Sequence, residues 1–118
     1  MLYRSKKIYI DDSPLHGRGV FASEPIKSGE ILEECHFIKV PIEVQYPKEL
    51  YDHFFAWPKR TENHYAVVLG YGSIFNHSDQ NNASWETDPS KYKFIFFATR
   101  DIEPGEEICT NYEKVVDF

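Results

Sequence analysis

Gly72-Ser73-Ile74-Phe75-Asn76-His77-Ser78, followed by Asn82, and Gly105-Glu106-Glu107-Ile108-Cys109-Thr110-Asn111-Tyr112 are the stretches whose joint reading decides the fold. His77 and Tyr112 lie 35 residues apart. Alone, each is bland. Asn and Ser form turns, a single His satisfies a local hydrogen bond, and a Tyr at a strand end packs. Asn and His side chains can also read an adenine edge or hold a methionine moiety with few groups. A phenol can orient an amine beside a positive centre. Near the start, Gly17-Arg18-Gly19-Val20-Phe21-Ala22 forms a third segment. Its glycines allow the backbone to approach a ligand closely. No helix-leading G-x-G-x-x-G surrounds it, so it is not a dinucleotide fingerprint.

Around these segments the chain reads as short strands. Lys7–Ile10, Val20–Ala22, Glu30–Val40, His64–Leu69 and Tyr92–Thr99 carry β-branched and aromatic residues, the last as a central strand. Asp11-Asp12-Ser13-Pro14 ends the first with turn chemistry. Lys48–Trp57 is the best helix candidate, stopped by Pro58, and Ser73–Phe75 reads as a single helical turn. Residues 76–84 read as a polar loop. An internal echo is present: Phe21-Ala22-Ser23-Glu24-Pro25-Ile26-Lys27-Ser28-Gly29-Glu30 parallels Phe97-Ala98-Thr99-Arg100-Asp101-Ile102-Glu103-Pro104-Gly105-Glu106, shifted by 76 residues. Two copies do not make a solenoid, so they read as two similar hairpin-like units.

The 118 residues make one domain, spanning 1–118. Aromatics at 16% favour strands and aromatic-lined pockets. A net charge of −6 speaks against a broad nucleic-acid footprint and suits a basic peptide partner. Cys35 and Cys109 lie in apolar runs and read as buried free thiols. No Cys/His spacing suggests zinc, and His16, His36, His53 and His64 show no ligand spacing with His77, so no metal is expected. No membrane-length apolar run or leader is seen, so an intracellular protein is expected. Ser, His and Asp occur without a Gly-x-Ser-x-Gly elbow, which speaks against a hydrolase. Glu106 and Glu107 read as turn residues rather than an acid pair.

Jointly, G-x-G-V-F-A, G-x-x-F-N-H-S with Asn82, and G-E-E-I-x-x-x-Y resemble the SET-domain protein lysine methyltransferases over about residues 8–112. The resemblance implies a mainly β fold, the β-clip: short sheets, one or two short helices and a C-terminal pseudoknot. It implies S-adenosylmethionine as cofactor and methyl transfer to a lysine of a histone or other basic protein. Tyr112 matches the catalytic Tyr and contacts the cofactor; Arg18, Gly19, Asn76 and His77 match cofactor-binding positions. Tyr65, Tyr71, Trp85 and Thr110 are candidates for the lysine channel.

Some positions depart from the family. Asn111 stands where Asp is frequent, Asn81 precedes Asn82 where Pro is frequent, and Thr110 occupies a position, often Phe or Tyr, that governs methyl count. Only Glu113–Phe118 follow Tyr112, where many members carry a zinc-binding or other cap. The chain thus resembles the minimal SET proteins of viruses and bacteria. A homodimer partner, Phe118 or the substrate is expected to complete the channel, and the site of action is the cytoplasm, or a host nucleus if viral. The alternative is a catalytically weak SET module that binds a peptide or partner.

Overall fold

The computed structural model describes residues 2–56, 64–88, 90 and 93–111. Among these residues nine strands and one short helix follow in order: β1 (Ile8–Asp12), β2 (Arg18–Ala22), β3 (Ile31–Pro41), α1 (Lys48–Tyr51), β4 (Phe55–Ala56), β5 (His64–Val68), β6 (Asn76–His77), β7 (Ala83–Asp88), β8 (Lys93–Ala98) and β9 (Glu107–Thr110). They form a four-stranded sheet, β1-β2-β9-β6, and a five-stranded sheet, β4-β5-β3-β8-β7. This is the mainly β architecture expected. β8 is interior, between β3 and β7, while β3 takes the middle position. Along β8, Phe94, Phe96 and Ala98 are buried and alternate with half-buried neighbours, the period-2 pattern of a strand covered more fully on one face. No helix among the described residues is long and apolar enough to cross a membrane.

The two echoing segments clasp each other. Ile26 and Ile102 exchange both backbone bonds, at 2.9 and 2.8 Å. The Gly29 N–H donates to the Ala98 carbonyl and the Gly105 N–H to the Ala22 carbonyl, each at 2.7 Å. Ala98 N–H to Glu30 O and Ala22 N–H to Glu106 O are both 3.0 Å. Gly29 and Gly105 sit at φ of +88° and +86°, a region that disfavours a Cβ. These reciprocal bonds define a local pseudo-two-fold axis between Ile26 and Ile102, both wholly buried. It sets β2 against β9 (Phe21 opposite Glu107) and β8 against β3 (Phe97 opposite Ile31).

Several sequence expectations shift. The helix holds only one turn, Lys48–Tyr51, with no buried residue. Phe55 leaves it to pair with β5 and plugs the core between Trp85, Phe94 and Phe96. Burying an aromatic ring outweighs extending a marginal helix. Trp57 lies outside the described residues, as does Tyr92. β1 continues through Asp12, paired with Arg18, and the turn starts at Ser13. Ser73–Phe75 is a turn, closed by the Ile74 N–H on the Tyr71 carbonyl at 2.8 Å. The expected loop at 76–84 contains β6 and the start of β7. β6 pairs in parallel with β9, Asn76 opposite Cys109 and His77 opposite Thr110. A late strand is thus taken up between β2 and β6, the pseudoknot that the resemblance implied.

Candidate active site

The polar groups at the pseudoknot are drawn together by Glu107. It is the first residue of β9, and its carboxylate accepts from Ser13 Oγ at 2.7 and 2.9 Å and from Asn76 Nδ2 at 2.8 Å. Asn76 Nδ2 also donates to the carbonyls of His16 (3.2 Å) and Arg18 (3.1 Å). Ser13 Oγ accepts the Leu15 N–H in turn. The 13–17 loop, β6 and β9 are therefore tied to one carboxylate. Gly19 follows from the same crowding: a Cβ there would overlap Glu107 Oε2 and press on Asn76 Nδ2.

Asn82 locks the other side. Its Nδ2 donates to the Glu107 carbonyl at 2.9 Å and its Oδ1 accepts the Cys109 N–H at 2.8 Å. Its own N–H donates to the Cys109 carbonyl, and its carbonyl accepts the Thr99 N–H. The side chain is buried, so these bonds satisfy groups that water cannot reach. Cys109 lies inside this lock. Burial and the neighbouring Glu107 charge push its thiol up to about 11. Both Cys35 and Cys109 are free and buried, as their apolar settings suggested.

An open cleft of about 210 Å³ lies in front of the hub, lined by Leu15, His16, Asp52, His53, Asn76 and His77. A second hollow of about 350 Å³ shares His16, Asp52 and His53 with it and adds Lys48 and Glu49. The His53 Nδ1 donates to the Ser73 carbonyl at 2.6 Å, joining the chain after α1 to the turn before β6. Asp52 accepts from Lys48 Nζ at 2.6 Å, and that bond holds its carboxyl below the usual range. His77 is exposed, its Nε2 3.3 Å from Asp79 Oδ1.

Of the predicted site residues, Arg18, Gly19, Asn76, His77 and Thr110 come together. Arg18 contributes through its carbonyl. Thr110 is wholly buried, and its hydroxyl has no hydrogen-bond partner among the described residues. Tyr65 instead joins Tyr51, 3.3 Å between hydroxyls, and Phe54. The Tyr51 bond raises the Tyr65 phenol. Tyr71 lies beneath the Arg4 guanidinium, 3.9 Å above its ring, and gives its N–H to Glu33. Trp85 is buried against Phe55 and Phe96. Tyr112 lies outside the described residues. Glu106 is the turn residue that the sequence suggested, accepting the Glu103 N–H. Glu107 is not only that: it anchors the site. Its signal was a carboxylate opening a strand whose next three residues are buried.

Residues 17–113 match the SET domain family. A Schizosaccharomyces pombe protein, "Histone-lysine N-methyltransferase, H3 lysine-37 specific", is 30% identical over 113 residues, covering 87% of this chain and 71% of that protein. A crystal structure of a Plasmodium falciparum protein provisionally described as a histone methyltransferase superposes with a TM-score of 0.71 at 35% identity. That similarity covers 92% of this chain and 94% of the other. With the paired Asn-His and C-terminal segments in place and most of its length matched, this chain belongs to the SET-domain family.

Proposed function

We propose that the chain is an S-adenosylmethionine-dependent protein-lysine N-methyltransferase that modifies a histone tail or another basic protein. The observation that carries the reading is the parallel pairing of Asn76-His77 with Cys109-Thr110. This reading takes support from Asn76 and His77, which match cofactor positions, lying beside β9, whose last residue Thr110 is two before Tyr112 in sequence. The net charge of −6 suits a basic substrate. The names of the two relatives favour a histone. A histone substrate would place its action in the nucleus.

The cleft suits the cofactor. It combines imidazole rings, an apolar wall at Leu15 and an acidic group at Asp52, next to a loop whose Gly17 backbone is open to approach. When bound, S-adenosylmethionine supplies a sulfonium methyl activated for in-line displacement. The chain's residues do the positioning. Asn76 has its Nδ2 committed to Glu107 and two carbonyls, leaving Oδ1 as its side-chain group for a ligand. His77 is fixed through its backbone by β9.

The acceptor lysine must reach the site neutral. From an ordinary pKa near 10.4, deprotonation at pH 7 costs about 4–5 kcal/mol. A dry channel lowers that cost by disfavouring the ammonium. In this reading Tyr112 orients the incoming amine, and alignment supplies much of the remaining acceleration.

The test is incubation with methyl-labelled cofactor and a panel of basic proteins, followed by mass spectrometry. A methyl mass gain on lysine is expected. Cofactor binding with no lysine modified would replace this reading with that of a binding module. Tyr112→Phe is expected to lower the rate by about 100-fold or more while leaving cofactor affinity within about two-fold. Normal turnover in that variant removes Tyr112 from the mechanism.

A further inference from the structure

We infer that Glu107, besides tying the cofactor loop in place, is the fixed negative charge by which the cleft distinguishes the cationic methyl donor from its neutral product. The inference rests on the reading of this cleft as the donor site. Methyl transfer removes the sulfonium charge, so donor and product differ by one positive charge and one methyl. A fixed anion behind the cleft acts on exactly that difference, whereas shape and hydrogen bonds act on what the two share.

Glu107 is placed for this. Its two oxygens share the single Ser13 Oγ–H, at 2.7 and 2.9 Å, and one of them accepts from Asn76 Nδ2, so both oxygens act as acceptors. Both donors are neutral. No Lys, Arg or His among the described residues forms an ion pair with it. It is half-buried behind Gly19 and Asn76, where a charge is screened less than at the surface. Two other acids near the cleft, Asp52 and Asp79, differ. Asp52 is paired with Lys48 at 2.6 Å, and Asp79 is 86% exposed beside His77. The first is offset and the second is screened by solvent.

Glu107→Gln separates charge from geometry. The amide oxygen can still accept from Asn76 and the amide nitrogen can donate to Ser13 Oγ, so loop and strand keep their bonds. Binding of S-adenosylmethionine and of S-adenosylhomocysteine is measured by calorimetry for both proteins. In the variant the donor is expected to lose roughly three- to ten-fold in affinity relative to the product, from a unit charge acting over about 10 Å. Ser13→Ala, which removes a bond but no charge, is expected to weaken both ligands by the same factor. A purely structural Glu107 would make Glu107→Gln behave like Ser13→Ala, and an unchanged donor-to-product ratio overturns the inference.

If the unmutated protein binds neither ligand, the reading of the cleft itself fails. If it binds both and the ratio does not move, only the role of the charge fails.

Discussion

Phe21–Glu30 and Phe97–Glu106 make the same turn, exchange the same backbone bonds and bury equivalent side chains, but the strands leaving them go to different work. After the first unit comes β3, with a register shift between Ile31 and Glu33. That irregularity accompanies a buried Glu33 that meets Arg4 Nε at 2.6 Å and the Tyr71 N–H at 3.0 Å. After the second unit comes β9, where Glu107 grips Ser13 and Asn76. The position equivalent to Glu107 is Ile31, 43% exposed, whereas the next pair, Leu32 and Ile108, are both wholly buried. The symmetric part is scaffold. The site arises where the two copies differ, and the difference begins one residue after the shared turn.

The largest test of the symmetry lies at its axis. Ile26→Ala and Ile102→Ala should each cost about 2–5 kcal/mol in unfolding free energy, measured by urea denaturation. Because the two residues exchange both backbone bonds, the double variant should depart from additivity by about 0.5 kcal/mol or more. Single costs differing by more than about 2 kcal/mol would show that the clasp is symmetric in bonding but not in energy.

Asn82 acts on one unit only. Asn82→Ala leaves the Glu107 carbonyl and the Cys109 N–H without their side-chain partner. The expected loss is about 2–3 kcal/mol, with donor binding weakened as β9 loosens. Thermal melting and calorimetry read the two effects. A stable variant with intact donor binding would mean that β2 and β6 alone hold β9.

Gly29→Ala and Gly105→Ala should cost about 1–2 kcal/mol each, since nothing lies within 4 Å of either added Cβ and the penalty is the positive φ alone. Equal losses are expected in stability, with donor affinity reduced only for Gly105→Ala. If both variants reduce it, the first unit also shapes the site.

The same contrast separates what was legible in the sequence from what was not. The echo could be seen because symmetric turns need the same residues: Gly at the positive φ, Glu after it, an apolar residue at the axis. The order of the Asn-His and Glu-Glu-Ile segments was legible, and with it the family. β6 was not. Asn76-His77 has loop composition, and its strand character comes from Cys109-Thr110, far along the chain. The Glu107 hub was hidden for the same reason: Ser13, Asn76 and Glu107 converge from three distant segments, and no local period records that. Leu50 and Phe54 give Lys48–Trp57 a helical face in the sequence, but β5 and the Trp85–Phe94–Phe96 cluster claim Phe55, so the helix stops at Tyr51. Tyr65 and Tyr71 stand near the Asn-His segment in sequence, but sequence nearness does not reveal their packing partners, nor does the small Thr110 reveal those of Trp85.

The smallest effect tests the symmetry in its electrostatics. Glu30 accepts the Lys27 N–H at 3.2 Å and pairs with Lys7; Glu106 accepts the Glu103 N–H at 2.9 Å and pairs with Arg100. Partial burial pushes the Glu30 carboxyl up, but the Lys27 amide and Lys7 ammonium outweigh it and hold it below the usual value of 4.5. For Glu106 the Glu103 amide leads, with Arg100 adding to it against burial. Both folded values are depressed, so this stability is fully present above the unfolded value and is lost as pH falls through the folded one. Both side chains are partly exposed, which limits each contribution to a few tenths of a kcal/mol. Urea midpoints between pH 7 and pH 3 should therefore fall less steeply in Glu30→Gln and in Glu106→Gln than in the unmutated protein, and least in the double variant. Flattening by only one of the two would confine the symmetry to the backbone; flattening by neither would mean that the paired cations and amides add nothing to the turns.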